Sequence, residues 1–225
     1  MIFELLQCFR NIFMQDKLMK KEELPTTVFF TMCKDPLMDS QILRPSAQLW
    51  KLDLDKLNKG IIEVNEKKNL YGFGTSTKII IYNATKDPLE FFECGSTSGQ
   101  WSVMWDEQKK AYHYQIPPDI IEPEQCVNLL HVKKNWTLSG SIGHAGFLNR
   151  KTCEKIYIGW SSPLLAPNSL GIKTVEKNFY LKDYEKLGEQ ESDEQTADED
   201  GFKMKGYAKI LNNDTTPLIL FVFHE

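Results

Sequence analysis

The chain has few cysteines and spaces them badly for chemistry: Cys8, Cys33, Cys94, Cys126 and Cys153 are odd in number, far apart and free of any C-x-x-C pair. Neither a disulfide framework nor a zinc site is encoded. There is no excess of positive charge, since 27 Lys and Arg stand against 31 Asp and Glu for a net charge of −4. A chain built to coat nucleic acid needs a basic face to displace counterions, so that class is excluded. No run approaches the ~18–20 apolar residues of a membrane-spanning helix, and the chain is expected to be soluble. The start, MIFELLQCFRNIFMQDKLMKK, is apolar enough to suggest an export signal, but Glu4 and Arg10 interrupt it and no small-residue cleavage site follows. Either a secreted or a cytoplasmic protein acting at a target membrane fits such a start.

Catalytic signatures are absent too. Ser139-Gly140-Ser141-Ile142-Gly143 misses the first glycine of a nucleophile elbow. Gly95 to Gly99 has glycines suited to a turn but no Gly-Lys-Ser/Thr to hold phosphates. His113, His131, His144 and His224 are scattered singly, with no partner spacing for a metal. The chain is read as a non-enzyme without a cofactor.

What is present divides in two. Residues 1–76 form an N-terminal extension whose apolar spacing is helical, and residues 77–225 read as short strands separated by turn residues. In the extension Ile2, Leu5, Phe9, Ile12 and Phe13 fall on one helical face. A second stripe joins Trp50, Leu54, Leu57, Ile61 and Val64 opposite Lys51, Asp55, Lys59, Glu63 and Lys67, with Gly60 weakening its middle. Such a stripe can pack on a protein body or lie in a lipid interface. In the body, eleven strand-like runs begin at Lys78 and end at Phe223, and a helix is expected over Asn178 to Leu187. Many short strands at near-regular spacing indicate an all-β sandwich or barrel. The run Glu189 to Asp200 (EQESDEQTADED) holds seven carboxylates and no Lys or Arg; without it the net charge of −4 becomes +3. It is expected to be a solvated acidic loop.

The order of landmarks in the body resembles that of the actinoporins and their relatives in the wider cytolysin and fungal fruit-body lectin group. The resemblance rests on Lys78 to Asn83 (KIIIYN) with Thr85 and Leu89, on Ile116 to Ile121 (IPPDII) followed by Glu122-Pro123-Glu124, and on Gly140-Ser141-Ile142-Gly143. It continues through Ser161-Ser162-Pro163, Tyr184-Glu185-Lys186-Leu187, Gly201 to Tyr207 (GFKMKGY) and Pro217 to Phe223. It implies a β-sandwich flanked by short helices, a pocket for phosphocholine headgroups, and an amphipathic N-terminal helix that enters membranes as subunits assemble into a homo-oligomeric pore. Carried over onto matching positions, Ile142, Ser161, Pro163 and Tyr184 line the headgroup pocket. A serine hydroxyl can bond the phosphate, and a tyrosine face can hold the choline cation. Where the family has a loop crowded with Tyr and Trp, this chain has Leu164-Leu165-Ala166-Pro167-Asn168, so Leu164 and Leu165 become the membrane-interface candidates. Trp50, Leu54, Leu57, Ile61 and Val64 are the candidates for the inserting helix. The alternative from the same group is a non-lytic, lectin-like module that binds glycans. An interaction protein that uses the acidic loop is a third reading.

Overall fold

The computed structural model describes residues 52–72, 74–106, 111–134, 140–176, 187 and 193–225. Two sheets lie face to face around one main core, which makes the body an all-β sandwich. The first sheet has six strands in the order β11 (Glu194–Ala197), β12 (Lys205–Asn212), β13 (Leu218–His224), β1 (Ser76–Asn83), β7 (Cys126–Val132), β3 (Gln100–Trp101). The second has five, in the order β10 (Ser169–Glu176), β9 (Glu154–Ser162), β8 (Ser141–Asn149), β2 (Leu89–Ser98), β6 (Ile120–Ile121). Strands β4 (Val103–Asp106) and β5 (Ala111–Tyr114) form a separate hairpin. Among the paired strands described, only β1 and β13 run parallel, with Lys78 opposite Leu218 and Asn83 opposite Phe223.

The unbroken apolar runs of β1 and β13 follow from burial on both faces. Ile79 and Ile81 of β1, with Ile219, Phe221 and Phe223 of β13, point into the space between the sheets. Ile80 and Tyr82, with Leu218, Leu220 and Val222, point the other way into a second cluster under a helix. That helix, α1 (Leu54–Tyr71), supplies Leu57, Ile61 and Val64 to the cluster. It begins at Asp53, whose carboxylate accepts from the backbone N–H of Asp55 (3.0 Å) and Lys56 (3.2 Å), satisfying two amides that a helix start leaves open. It ends at Gly72, at φ +87°, whose N–H donates to the Lys68 carbonyl at 3.0 Å.

Gly60 is a requirement of this packing rather than a defect. A Cβ there would stand 2.9 Å from Cys126 Sγ on β7, so the helix lies closer to the sheet than a side chain would allow. Trp50 and the stripe at Ile2 to Phe13 lie outside the described residues, as do Trp136 to Ser139 and all but the last residue of the Asn178 to Leu187 helix.

Ile120–Ile121, in the IPPDII stretch that carries part of the family resemblance, forms the short strand β6 against Glu90 and Leu89. The acidic run corrects the expectation of a free loop: its Glu194–Ala197 pairs with Gly206 to Lys209 as edge strand β11. Lys209 Nζ donates to Glu194 at 2.8 Å, and Lys205 pairs with Asp198, so lysines of β12 offset part of the acidic charge. One of the eleven strand-like runs, Gln100 to Trp105, is broken at Ser102, where the chain leaves the large sheet for the β4–β5 hairpin.

Candidate functional site

At one end of the five-stranded sheet the cross-strand register lines up four residues. Ser98 on β2 lies opposite Ile142 on β8, Ile142 opposite Ser161 on β9, and Ser161 opposite Ser169 on β10. Neighbours in register share a face. The alternate positions Trp160 and Leu170 belong to the core between the sheets, so this row occupies the outer face, with Ser98 and Ile142 half-buried and Ser161 and Ser169 buried at 7% and 5% exposure. Pro163 follows directly, half-buried, and then the chain turns through Leu164 (48% exposed) and Leu165 (95% exposed). Asn168 ties the far side of that turn to the β12–β13 connection, donating to Asn213 Oδ1 at 2.7 Å and to the Asp214 carbonyl at 2.8 Å. Leu187 lies over Gly171, where a Cβ would meet its carbonyl at 1.6 Å, on the same outer face two residues along from Ser169.

Three of the four carried-over residues, Ile142, Ser161 and Pro163, are thus brought together beside Leu164 and Leu165. Tyr184 lies outside the described residues. Sequence reading missed Ser98 and Ser169, which join the row only through pairing between strands distant in the chain. Ser98 Oγ donates to the Gly140 carbonyl at 3.0 Å. A Cβ on Gly140 would fall 2.0 Å from the Ser162 carbonyl, so glycine is needed for β8 and β9 to close this end.

Directly beneath the row a polar cluster joins the two sheets. His131 on β7 contacts Ser96 Oγ on β2 through Nε2 (2.7 Å) and Ser141 Oγ on β8 through Nδ1 (2.8 Å). Ser141 is also 2.8 Å from Thr77 Oγ1 on β1 and donates to the His131 carbonyl at 3.1 Å. The imidazole packs against the indoles of Trp101 and Trp160, at centroid distances of 5.2 and 5.1 Å, and the two indoles touch each other at 5.2 Å, so the three rings form a triangle. Since Ser141 spends its own proton on the carbonyl, it accepts from Nδ1–H, and Nε2 is left to accept from Ser96. The arrangement has the outline of a serine–histidine relay, but burial pulls the His131 pKa down to about 3. A general base needs a pKa near the working pH, so this histidine is a structural hub and not a base.

The helix candidates are accounted for differently. Leu57, Ile61 and Val64 are buried at 0%, 2% and 0% exposure, and Leu54 packs at the margin of the same cluster. Elsewhere, a groove of about 400 Å³ runs between α1 and the turn before β7, lined among others by Lys56, Lys59, Glu63, Glu124 and Asn128. Its charged groups pair with one another, Lys56 with Glu124 and Lys59 with Glu63, and the Asn128 amide donates to Glu63 at 2.6 Å. Burial pushes the Cys126 thiol in its wall up to about 12, which leaves it unreactive. None of the row residues borders this groove. Among the described residues no helix is long and apolar enough to cross a membrane, and no group of three His, Cys, Asp or Glu could hold a metal ion.

A family model described as Nakanori-like protein matches residues 46–224. A crystal structure described as lipid binding protein Nakanori has a TM-score of 0.65 at 16% identity, covering 89% of this chain and 94% of that one. RahU protein in complex with a TRIS molecule gives a TM-score of 0.43 at 9% identity, covering 67% and 95%. IP-1A from Alcaligenes faecalis gives 0.40 at 14%, covering 70% and 95%. No curated protein sequence is significantly similar to the chain.

Proposed function

The chain belongs to the Nakanori-like protein family, and from that premise we propose that it binds membrane lipids, taking phosphocholine headgroups at the Ser98–Ile142–Ser161–Ser169 row. In this reading the Ser161 hydroxyl bonds the phosphate, Ile142 and Pro163 supply an apolar wall, and Tyr184 offers its ring to the choline cation. Leu164 and Leu165 enter the bilayer interface, where two buried leucines would each contribute roughly 1.5–3 kcal/mol. Subunits held there assemble, and the amphipathic N-terminal segment inserts to form a pore.

The observation that carries the lipid reading is the juxtaposition of a polar row with a leucine at 95% exposure on the adjoining turn. An isolated exposed leucine means little, but one beside a candidate headgroup site is where an apolar contact with lipid is useful. The structure described as lipid binding protein Nakanori, which shares the fold, adds support. Co-sedimentation with phosphatidylcholine vesicles, with and without sphingomyelin, tests it. Leu165→Ser together with Ser161→Ala should lower vesicle binding at least tenfold while leaving the melting temperature within a few degrees. Unchanged binding by the double variant would refute the assignment.

A second reading is favoured by the docking of α1. With Leu57, Ile61 and Val64 buried in the sheet, those residues are committed to the fold, which suits a non-lytic lectin-like module that binds glycans. Glycan binding without leakage from dye-loaded vesicles would select it; leakage would select the pore.

A further inference from the structure

The cluster under the candidate lipid site links the two sheets through hydroxyls and one imidazole. Thr77 and His131 belong to the six-stranded sheet, whereas Ser96, Ser141 and Trp160 belong to the five-stranded one. We infer that His131 is an acid-sensitive latch: a proton on its ring parts the sheets at the Ser98–Ile142–Ser161 end and uncovers Trp101 and Trp160 beside the Leu164–Leu165 turn.

The reason is that, among the described residues, no charged group faces the ring. The groups that face the ring are Thr77 through Ser141, Ser96 on β2, Trp101 on β3, Ser141 on β8 and Trp160 on β9. The backbone at Gly99 closes the remaining side, where a Cβ would come within 2.8 Å of His131 Cε1. Among the described residues, the titratable groups around this cluster have other contacts. Lys78, next to Thr77, donates to Asn65 on α1 at 3.1 Å, and the His144 ring covers Gly95. Cys94 accepts from Trp101 Nε1 at 3.3 Å, and burial raises its pKa, so it stays neutral. Burial alone is what depresses the His131 pKa to about 3. An imidazolium would keep two hydroxyl acceptors only if Ser96 reversed its hydrogen bond, and the charge would sit on a ring that is itself fully buried, with only the exposed Ser96 between Nε2 and water.

The sign follows from linkage. A folded pKa of about 3 lies below the ordinary 6.5, so the opened state binds the proton more tightly. The closed state is fully favoured above pH 6.5 and loses about tenfold against the open one per pH unit from there down to the folded pKa. An opening centred on His131 alone exposes aromatic side chains suited to a lipid interface. The link to lipid rests on the proposed function; the opening itself does not.

Hydrogen exchange on the intact chain in solution, read as protection factors from pH 7.5 to 4.5, tests the latch. Protection at Ser96, Trp101, Ser141 and Trp160 should fall by about tenfold per pH unit below the onset, while amides near Asn83 and Phe223 at the other end hold theirs. In His131→Gln the pH dependence should vanish. No fall in the wild type, a fall at both ends together, or an unchanged profile in the variant would overturn it. If that variant fails to fold, the wild-type comparison of the two ends decides. Phosphatidylcholine vesicles should bind more protein at pH 5 than at pH 7.4; local opening with no vesicle binding at either pH removes the lipid reading and leaves the latch.

Discussion

Asn83 does at the residue scale what a whole turn would otherwise need. Its amide donates to the Asp87 and Ile121 carbonyls at 3.0 and 2.9 Å, and its carbonyl accepts from the Thr85 N–H and hydroxyl at 3.0 and 2.7 Å. The side chain is fully buried, so although Asn83-Ala-Thr matches the glycosylation pattern, it offers no acceptor to modify. Asn83→Ala leaves several buried groups unsatisfied and should destabilise the fold by about 3 kcal/mol in urea titration. A loss under 1 kcal/mol would mean water replaces the amide. Gly60 gives a finer test. Gly60→Ala gains roughly 1 kcal/mol in helix propensity but drives a methyl against Cys126 Sγ, a clash worth about 1–3 kcal/mol. The substitution should therefore destabilise the wild type and stabilise a Cys126→Ala background. Equal effects in both would disprove the contact.

At the scale of elements, what was legible depended on how strongly burial patterned the chain. The Ile79 to Tyr82 and Leu218 to Phe223 runs announced themselves because both faces are covered, and the i, i+4 spacing of Leu57 and Ile61 announced α1. The edge strand β11 did not, because Glu194 and Gln195 carry no apolar signal and the strand exists through its backbone pairing with β12. The start of α1 was set by the Asp53 cap rather than by the apolar stripe. The candidate site was half legible for a related reason: Ile142, Ser161 and Pro163 sit in recognisable local motifs, whereas Ser98 and Ser169 are selected by register. These two kinds of element predict different sensitivities. Leu57→Ala opens a cavity under α1 and should cost about 2–5 kcal/mol. Lys209→Ala removes a part-exposed ion pair with Glu194 and should cost less than about 1 kcal/mol. Denaturant titration of both variants checks the contrast, and similar losses would contradict the placement of one element in the core and the other at the edge.

For the molecule as a whole, the question is whether α1 is a part of the sandwich or an attachment to it. Its residues Leu57, Ile61 and Val64 share one cluster with Ile80, Leu130, Tyr207, Leu220 and Val222, drawn from four strands of the six-stranded sheet. Lys67 Nζ also donates to the Asn128 carbonyl at 2.8 Å, and Tyr71 to that of Lys133 at 3.1 Å. Releasing the helix would expose both sides of this cluster to water at about 25 cal/mol per Å² of apolar surface, with no compensation unless a bilayer received it. Helix and sandwich should therefore unfold in solution as one cooperative unit. Far-ultraviolet dichroism at the helical band and tryptophan fluorescence should give the same midpoint within error. A helical signal lost at lower denaturant than the fluorescence would show a detachable α1 and restore it as an inserting element. Coincident transitions would instead place any insertion in the chain before Leu52, where Ile2, Leu5, Phe9, Ile12 and Phe13 form the other apolar stripe of the sequence.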